Sequence, residues 1–216
     1  MVVGGENMMI PYEILKEKYK EYSNVDNKIG REVRDGKLYK IIKGLYETDP
    51  NTPGYLLAQA IYGPSYISFE YALAQYGMIP ERVNAITCAC FKKRKKKVYQ
   101  TDFGVFIYKD IPARAYPWEV LLKVEGNYSY HIATPEKALC DILYTLTPIK
   151  NYRYLEIMLF YDLRIDEDEF DQLNIDTIEK LSEFYHSTNV KRLAGYMKKR
   201  RKNEPNNSTD VNTVQY

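Results

Sequence analysis

The chain has 216 residues, of which 45% are hydrophobic, and its 31 Lys and Arg against 29 Asp and Glu give a formal net charge of +2. This length and composition suit one or two domains with buried cores and exclude a wholly disordered chain. The three cysteines (Cys88, Cys90 and Cys140) form no CxxC pair, and the two histidines lie far apart. We therefore predict neither a disulfide scaffold nor a metal site, and expect a reduced, cytoplasmic protein without a cofactor.

The longest uncharged run, residues 50–69, approaches the length of a membrane span but is interrupted by proline and glycine. It predicts buried helices, and no membrane partner is expected. The first residues, MVVGGENMM, have no basic start and no long apolar stretch. They predict no secretory signal.

Charge is unevenly distributed along the chain. Residues 27–44 contain six basic and two acidic residues, a net +4, and residues 92–97 (KKRKKK) carry +6. Residues 151–190 contain three basic and ten acidic residues, a net −7, whereas residues 191–202 contain seven basic residues and no acid. The near-neutral total is therefore the sum of basic blocks and one acidic block.

Two helices are predicted at the start of the chain. Pro11 opens the first, whose apolar face carries residues at i, i+3, i+7 and i+10, namely Tyr12, Leu15, Tyr19 and Tyr22. In the second helix, Val25, Ile29 and Val33 form a buried stripe, and Gly36 ends the helix. The basic residues between them are expected to point away from the core.

Residues 37–48 then predict two short strands joined by a tight turn at Gly44. Helix, turn, helix and hairpin are the outline of a winged helix-turn-helix, in which the second helix enters the DNA major groove. We assign residues 1–49 to such a DNA-binding domain. Its predicted DNA contacts are Asn27, Lys28, Arg31, Arg34, Lys37, Lys40 and Lys43. The alternative is a winged helix used only for protein contact.

A proline-containing linker, residues 49–54, leads to a larger domain at residues 54–202. One helix is predicted at residues 55–62, and a second helix, capped by Ser68, runs to about Tyr76. Five strands are predicted after them, at residues 85–91, 98–101, 105–108, 120–124 and 128–132. Thr134 caps the next helix, and four more follow, at residues 151–161, 166–172, 175–186 and 189–200. The predicted class is α+β, with a small sheet, a helical C-terminal half and a disordered tail at 203–216.

The KKRKKK run has two interpretations. It is either an exposed hairpin connection between strands or a set of auxiliary nucleic-acid contacts from Lys92, Lys93, Arg94, Lys95, Lys96 and Lys97. Basic runs are weak evidence without a fold around them. Both interpretations stay open at this point.

Several segments together resemble one protein family. The run GPSYIS at residues 63–68 is followed by Ala72-Leu73, Gly77 and Ile79-Pro80-Glu81, and later by Gly104-Val105-Phe106 and by IATPEKALCDILY at residues 132–144. With the predicted wing at Gly44-Leu45-Tyr46, these segments are similar to the AbiEi-type antitoxins of bacterial abortive-infection systems. The sequence departs from that pattern at Cys88 and Cys90, where small hydroxyl residues are usual.

The resemblance implies an N-terminal winged helix-turn-helix that represses its own operon and a C-terminal domain that supplies antitoxicity. It implies two partners, operator DNA and a nucleotidyltransferase-like toxin that is countered without a stable complex (type IV antagonism). The expected function is thus that of an antitoxin and transcriptional autorepressor in phage defence.

An enzyme is the main rival class. The sequence contains no GxxxxGK, GxSxG or HExxH motif and no Gly-Ser pair of the kind a nucleotidyltransferase shows. The acidic run at residues 166–169 suits a helix N-terminus better than a metal site, and Glu136, Lys137 and Asp141 are better explained by capping and packing. We expect no enzymatic activity. A third class remains: an interaction module without DNA binding that binds a basic partner through the acidic helices of residues 151–190.

Overall fold

The computed structural model describes residues 8–203, a mixed α+β fold with two sheets and nine α-helices in that range. This confirms the predicted α+β class. The predicted disordered tail at 203–216 lies, apart from Asn203, outside the described residues. No helix in the described part of the chain is long and apolar enough to cross a membrane.

The N-terminal unit, residues 9–47, is a three-stranded antiparallel sheet with two helices. Its elements in chain order are β1 (Met9–Pro11), α1 (Tyr12–Lys18), α2 (Val25–Arg34), β2 (Tyr39–Ile42) and β3 (Leu45–Glu47). The strand order is β1-β3-β2. A small core forms between the sheet and the helices from Ile10, Leu15, Tyr19, Ile29 and Leu38.

The structure confirms most of the elements predicted in this unit. The Asn24 side chain caps α2 by accepting a hydrogen bond from the backbone N–H of Asn27 (2.9 Å). Gly36 and Gly44 have positive φ angles of 67° and 83°, at the end of α2 and in the hairpin turn. The first helix is shorter than predicted and ends at Lys18. Tyr22 therefore lies beyond the helix, and 46% of the surface of Tyr22 is exposed.

The larger domain, residues 54–203, is built around a six-stranded sheet in the order β6-β7-β5-β4-β9-β8. Its strands are β4 (Ser65–Ile67), β5 (Ala85–Cys90), β6 (Lys97–Thr101), β7 (Gly104–Asp110), β8 (Val120–Glu125) and β9 (Tyr128–Ala133). Its helices are α3 (Gly54–Ile61), α4 (Phe69–Gln75), α5 (Pro135–Thr145), α6 (Tyr152–Glu156), α7 (Glu167–Asp171), α8 (Ile175–Tyr185) and α9 (Thr188–Asn203). A π-helical turn, Ile157–Asp162, continues α6.

Three features of this domain differ from the sequence prediction. The short central strand β4 was not predicted, although it joins β5 to β9. The basic run between β5 and β6 does not close a hairpin, because β5 and β6 are not paired with each other. Strand β7 lies between them and pairs in parallel with β5 and in antiparallel fashion with β6. Ser68 precedes α4, but its hydroxyl donates to Asp141 (2.6 Å) instead of capping the helix.

The two units are packed together. Ile41 of β2 belongs to the main core of the larger domain, and Glu47 of β3 accepts a hydrogen bond from the Tyr128 hydroxyl of β9 (2.8 Å). The segment predicted as a linker is itself packed, because Thr52 is buried and a methyl group on Gly54 would overlap the carbonyl oxygen of Phe103 in the larger domain. The N-terminal unit therefore rests on the edge of the larger core.

Candidate nucleic-acid interface

The face of α2 opposite its buried stripe carries polar and basic side chains. Asn27, Arg31 and Arg34 occur at i, i+4 and i+7 and are all exposed, whereas Ile29 is 3% exposed on the other side. Gly30 lies between them, and an added Cβ would meet only the Arg34 guanidinium, at 3.9 Å. A glycine inside a helix costs about 0.5–1 kcal/mol relative to alanine, and here it leaves room for a ligand to approach the helix backbone.

The hairpin adds three more exposed cations. Lys37 follows α2, Lys40 lies in β2, and Lys43 lies at the turn to β3. Together with Arg31 and Arg34 they are five cations in the space of 13 positions, and none makes an ion pair within residues 8–203. Unpaired cations on a helix and an adjacent hairpin can neutralise the phosphates of a nucleic acid.

Lys28 differs from the other predicted contacts. Its ammonium group pairs with Glu32, one turn along α2, and the two side chains are only 19% and 10% exposed. The ammonium also lies 5.4 Å and 5.1 Å from the ring centres of Tyr19 and Tyr22. The hydrogen bond to Glu32 raises the pKa of Lys28 and lowers that of Glu32. Lys28 thus makes an internal ion pair within α2 and lies beside two tyrosine rings, and its contact with DNA stays a prediction.

We expect the Lys28→Ala substitution to lower the melting temperature, because Glu32 would keep its partly buried carboxylate without a partner. The matched control is Lys20→Ala, which breaks the exposed pair with Glu17 on the same unit and should leave the melting temperature nearly unchanged. Thermal melts followed by circular dichroism measure both. Equal melting temperatures for the two variants would contradict the structural role of Lys28.

The basic run at residues 92–97 forms the connection from β5 to β6. Its backbone is fixed by Asp110, whose carboxylate accepts from the N–H groups of Lys93 (3.1 Å) and Arg94 (2.9 Å). The Lys93 ammonium donates to the Gly63 carbonyl (3.1 Å) and lies over the Tyr62 ring. The other five basic side chains of the run are exposed. Its role in nucleic-acid binding stays a prediction.

A buried polar cluster, which sequence reasoning missed, joins α5 to three other segments. Asp141 accepts from Tyr66 (2.9 Å), from Ser68 and from Tyr185, and lies 3.4 Å from the Lys137 ammonium. Lys137 also donates to the carbonyl of Ala115 (2.8 Å). Both Lys137 and Asp141 are fully buried. Burial lowers the pKa of Lys137, and the nearby Asp141 carboxylate partly offsets this.

Part of the acidic block is used inside the molecule. Arg200 of α9 pairs with Asp171 (2.7 Å) and Glu167 (2.9 Å), and Lys198 pairs with Glu179. Asp166 caps α7 by accepting from the N–H groups of Asp168 and Glu169. The acidic helices therefore already have a basic partner, the C-terminal half of α9.

No protein-family model matches the chain, and no curated protein matches it. The structure brings Asn27, Arg31 and Arg34 onto one helix face beside the hairpin lysines, and it assigns Lys28 to an internal ion pair. One signal for that pair was visible in the sequence, because Glu32 follows Lys28 at the i+4 spacing of helical ion pairs.

Proposed function

We propose that the N-terminal unit binds duplex DNA. The observation that carries this proposal is the set of five exposed cations on α2 and the hairpin that make no ion pair within residues 8–203, namely Arg31, Arg34, Lys37, Lys40 and Lys43. In this mode α2 enters the major groove, and Arg31, Arg34 and the hairpin lysines contact phosphates. Asn27 or Arg31 also reaches base edges.

From the resemblance to the AbiEi-type antitoxins, we further propose that the DNA is the operator of the protein's own operon. The larger domain then acts as the antitoxin against a nucleotidyltransferase-like toxin, without a stable complex. This role is not enzymatic. The proposal of a non-enzymatic role is supported by the burial of Lys137 and Asp141, which the sequence offers as catalytic candidates. Both residues are fully buried and hydrogen-bonded to their neighbours.

The test is a titration of operator DNA at several salt concentrations. Replacing Arg31, Arg34 and Lys40 together with Ala should flatten the slope of log affinity against log salt by roughly three units, because each phosphate contact contributes about 0.9. The matched control removes three exposed cations of the larger domain, Lys123, Arg164 and Lys180. It has the same total charge as the triple variant and should keep the original slope.

The same triple variant separates the two activities. In cells expressing the toxin encoded beside this gene, it should still restore growth, because the larger domain is unchanged. It should no longer repress a reporter driven by the operator. An unchanged salt slope in the triple variant would reject the DNA face, and a loss of growth rescue would reject the assignment of antitoxicity to the larger domain.

A further inference from the structure

The basic last helix, α9, is divided into two halves with different environments. Its C-terminal half is ion-paired, through Lys198 and Arg200, with acids of α7 and α8. Lys191 and Arg192, in its N-terminal half, make no ion pair within residues 8–203. These two cations therefore need another explanation.

Lys191 and Arg192 line a cleft together with Lys150, which likewise makes no ion pair within the described part of the chain. The cleft, here called the Lys150 cleft, has a volume of about 480 Å³ and is lined by Lys150, Asn151, Tyr152, Thr188, Lys191 and Arg192. Three of its six lining residues are cations and none is an acid. A concave site of this size falls within the range of about 300–1,000 Å³ that is typical for ligand sites.

The walls of the cleft are held in place by buried contacts. The Asn189 amide oxygen accepts from the N–H of Ile149 (2.8 Å), and its nitrogen donates to the carbonyls of Leu143 (3.1 Å) and Thr147 (3.0 Å). Arg192 donates one of its five guanidinium N–H groups to the Ile149 carbonyl, which fixes the side chain at the cleft. The loop that presents Lys150 is thus fixed against α9 before any ligand binds.

Tyrosine rings lie beside these cations. Tyr152 is 36% exposed, and its hydroxyl lies against α9, where a Cβ added to Gly195 would be 2.6 Å away. Tyr154 is 52% exposed, and the Lys150 ammonium lies 5.9 Å from its ring centre. Alternating cations and exposed aromatic rings are typical of sites that hold phosphates between stacked, unpaired bases.

We propose that the Lys150 cleft binds a segment of single-stranded nucleic acid. A backbone phosphate is held by Lys150, Lys191 and Arg192, and bases stack on Tyr152 and Tyr154. The exposed tyrosine rings favour a single strand, whose bases are free to stack, over a duplex, whose bases are already paired. This site is separate in sequence from the face proposed for duplex DNA.

The test measures fluorescence anisotropy of labelled oligo-U RNA and oligo-dT with the full chain carrying the Arg31, Arg34 and Lys40 substitutions. That background removes the proposed duplex face, so failure of one site is distinguishable from failure of the other. Adding Lys150→Ala and Lys191→Ala should reduce the salt slope by about 1.4 units, since each phosphate contact to a single strand contributes about 0.7. Substituting Lys123 and Lys180 instead should leave the slope unchanged.

A second pair of variants tests stacking apart from charge. Tyr152→Leu should weaken binding about tenfold without changing the salt slope, because one stacked base contributes about 1–3 kcal/mol. Gly195→Ala should weaken binding in the same way by displacing the Tyr152 ring, while improving the helix propensity of α9.

Three outcomes would overturn the proposal. The first is equal affinity in the Lys150/Lys191 variant and its Lys123/Lys180 control. The second is displacement of the oligonucleotides by inorganic phosphate when the phosphate and the oligonucleotide are at the same concentration, which would indicate a small-anion site. The third is tighter binding of a duplex than of either single strand in the same background, which would indicate an extended duplex surface.

Discussion

Asp141→Ala should lower the free energy of unfolding by about 3–5 kcal/mol, because it leaves Lys137 as an uncompensated charge in a fully buried position. The hydroxyls of Tyr66, Ser68 and Tyr185 lose their common acceptor in the same step. Urea unfolding followed by circular dichroism measures the change. Glu183→Ala, which removes an exposed acid of α8, is the control and should change stability by less than about 1 kcal/mol.

The pH dependence of the Asp141→Ala variant gives a second, independent measurement. Without the carboxylate, the largest influence that offsets the desolvation of Lys137 is lost, so the pKa of Lys137 falls further. Between that lowered pKa and the unfolded value of about 10.4, the unfolded chain binds more protons than the native one, so stability rises with pH. The stability deficit relative to the original protein should therefore shrink as pH increases towards 10. If the difference in the free energy of unfolding between the two proteins did not change with pH, the charge on Lys137 would not be the cause of the lost stability.

A double substitution separates the ion pair from the other hydrogen bonds. Lys137→Met combined with Asp141→Leu removes both charges and fills the space with apolar groups, so it should cost less than the sum of the two single changes. Strict additivity would mean that the two residues do not interact. The remaining cost of the double variant reports the three hydroxyls that have lost their acceptor and the Ala115 carbonyl that has lost the Lys137 donor.

Elements with a clear period or cap could be predicted from the sequence. The β-branched stretch at residues 85–90 became β5, and Thr134 caps α5 by accepting from the N–H of Lys137 (3.3 Å). Helix α2 and its exposed face followed from a single 3.6-residue repeat. These features depend on residues close together in the chain.

The missed features depend on partners far away in the chain. Strand β4 has only three residues, all buried, and exists because β5 and β9 lie on either side of it. Ser68 looked like a cap, but its hydroxyl binds Asp141, 73 positions away. The Lys150 cleft likewise needs α9 to bring Lys191 beside Lys150. No pattern within one helix or strand contains that information.

The joint between the two units depends on Glu47, a fully buried carboxylate of β3. One of its oxygens accepts from the N–H groups of Thr48 (2.7 Å) and Asp49 (3.2 Å), and the other accepts from the Tyr128 hydroxyl. Burial and this hydrogen bond raise the pKa of Tyr128 to about 12. The carboxylate therefore fixes both the end of the hairpin and its attachment to β9.

Glu47→Ala should lower the free energy of unfolding by about 3 kcal/mol, because buried donors on both sides of the joint lose a charged acceptor. Tyr128→Phe removes the hydrogen bond to Glu47 but leaves the Thr48 and Asp49 contacts of that carboxylate, and should cost about 1 kcal/mol. Hydrogen exchange locates the effect: in Glu47→Ala, protection should fall in residues 9–47 more than in β5 and β7. Uniform loss of protection across both sheets would show that the two units unfold as one.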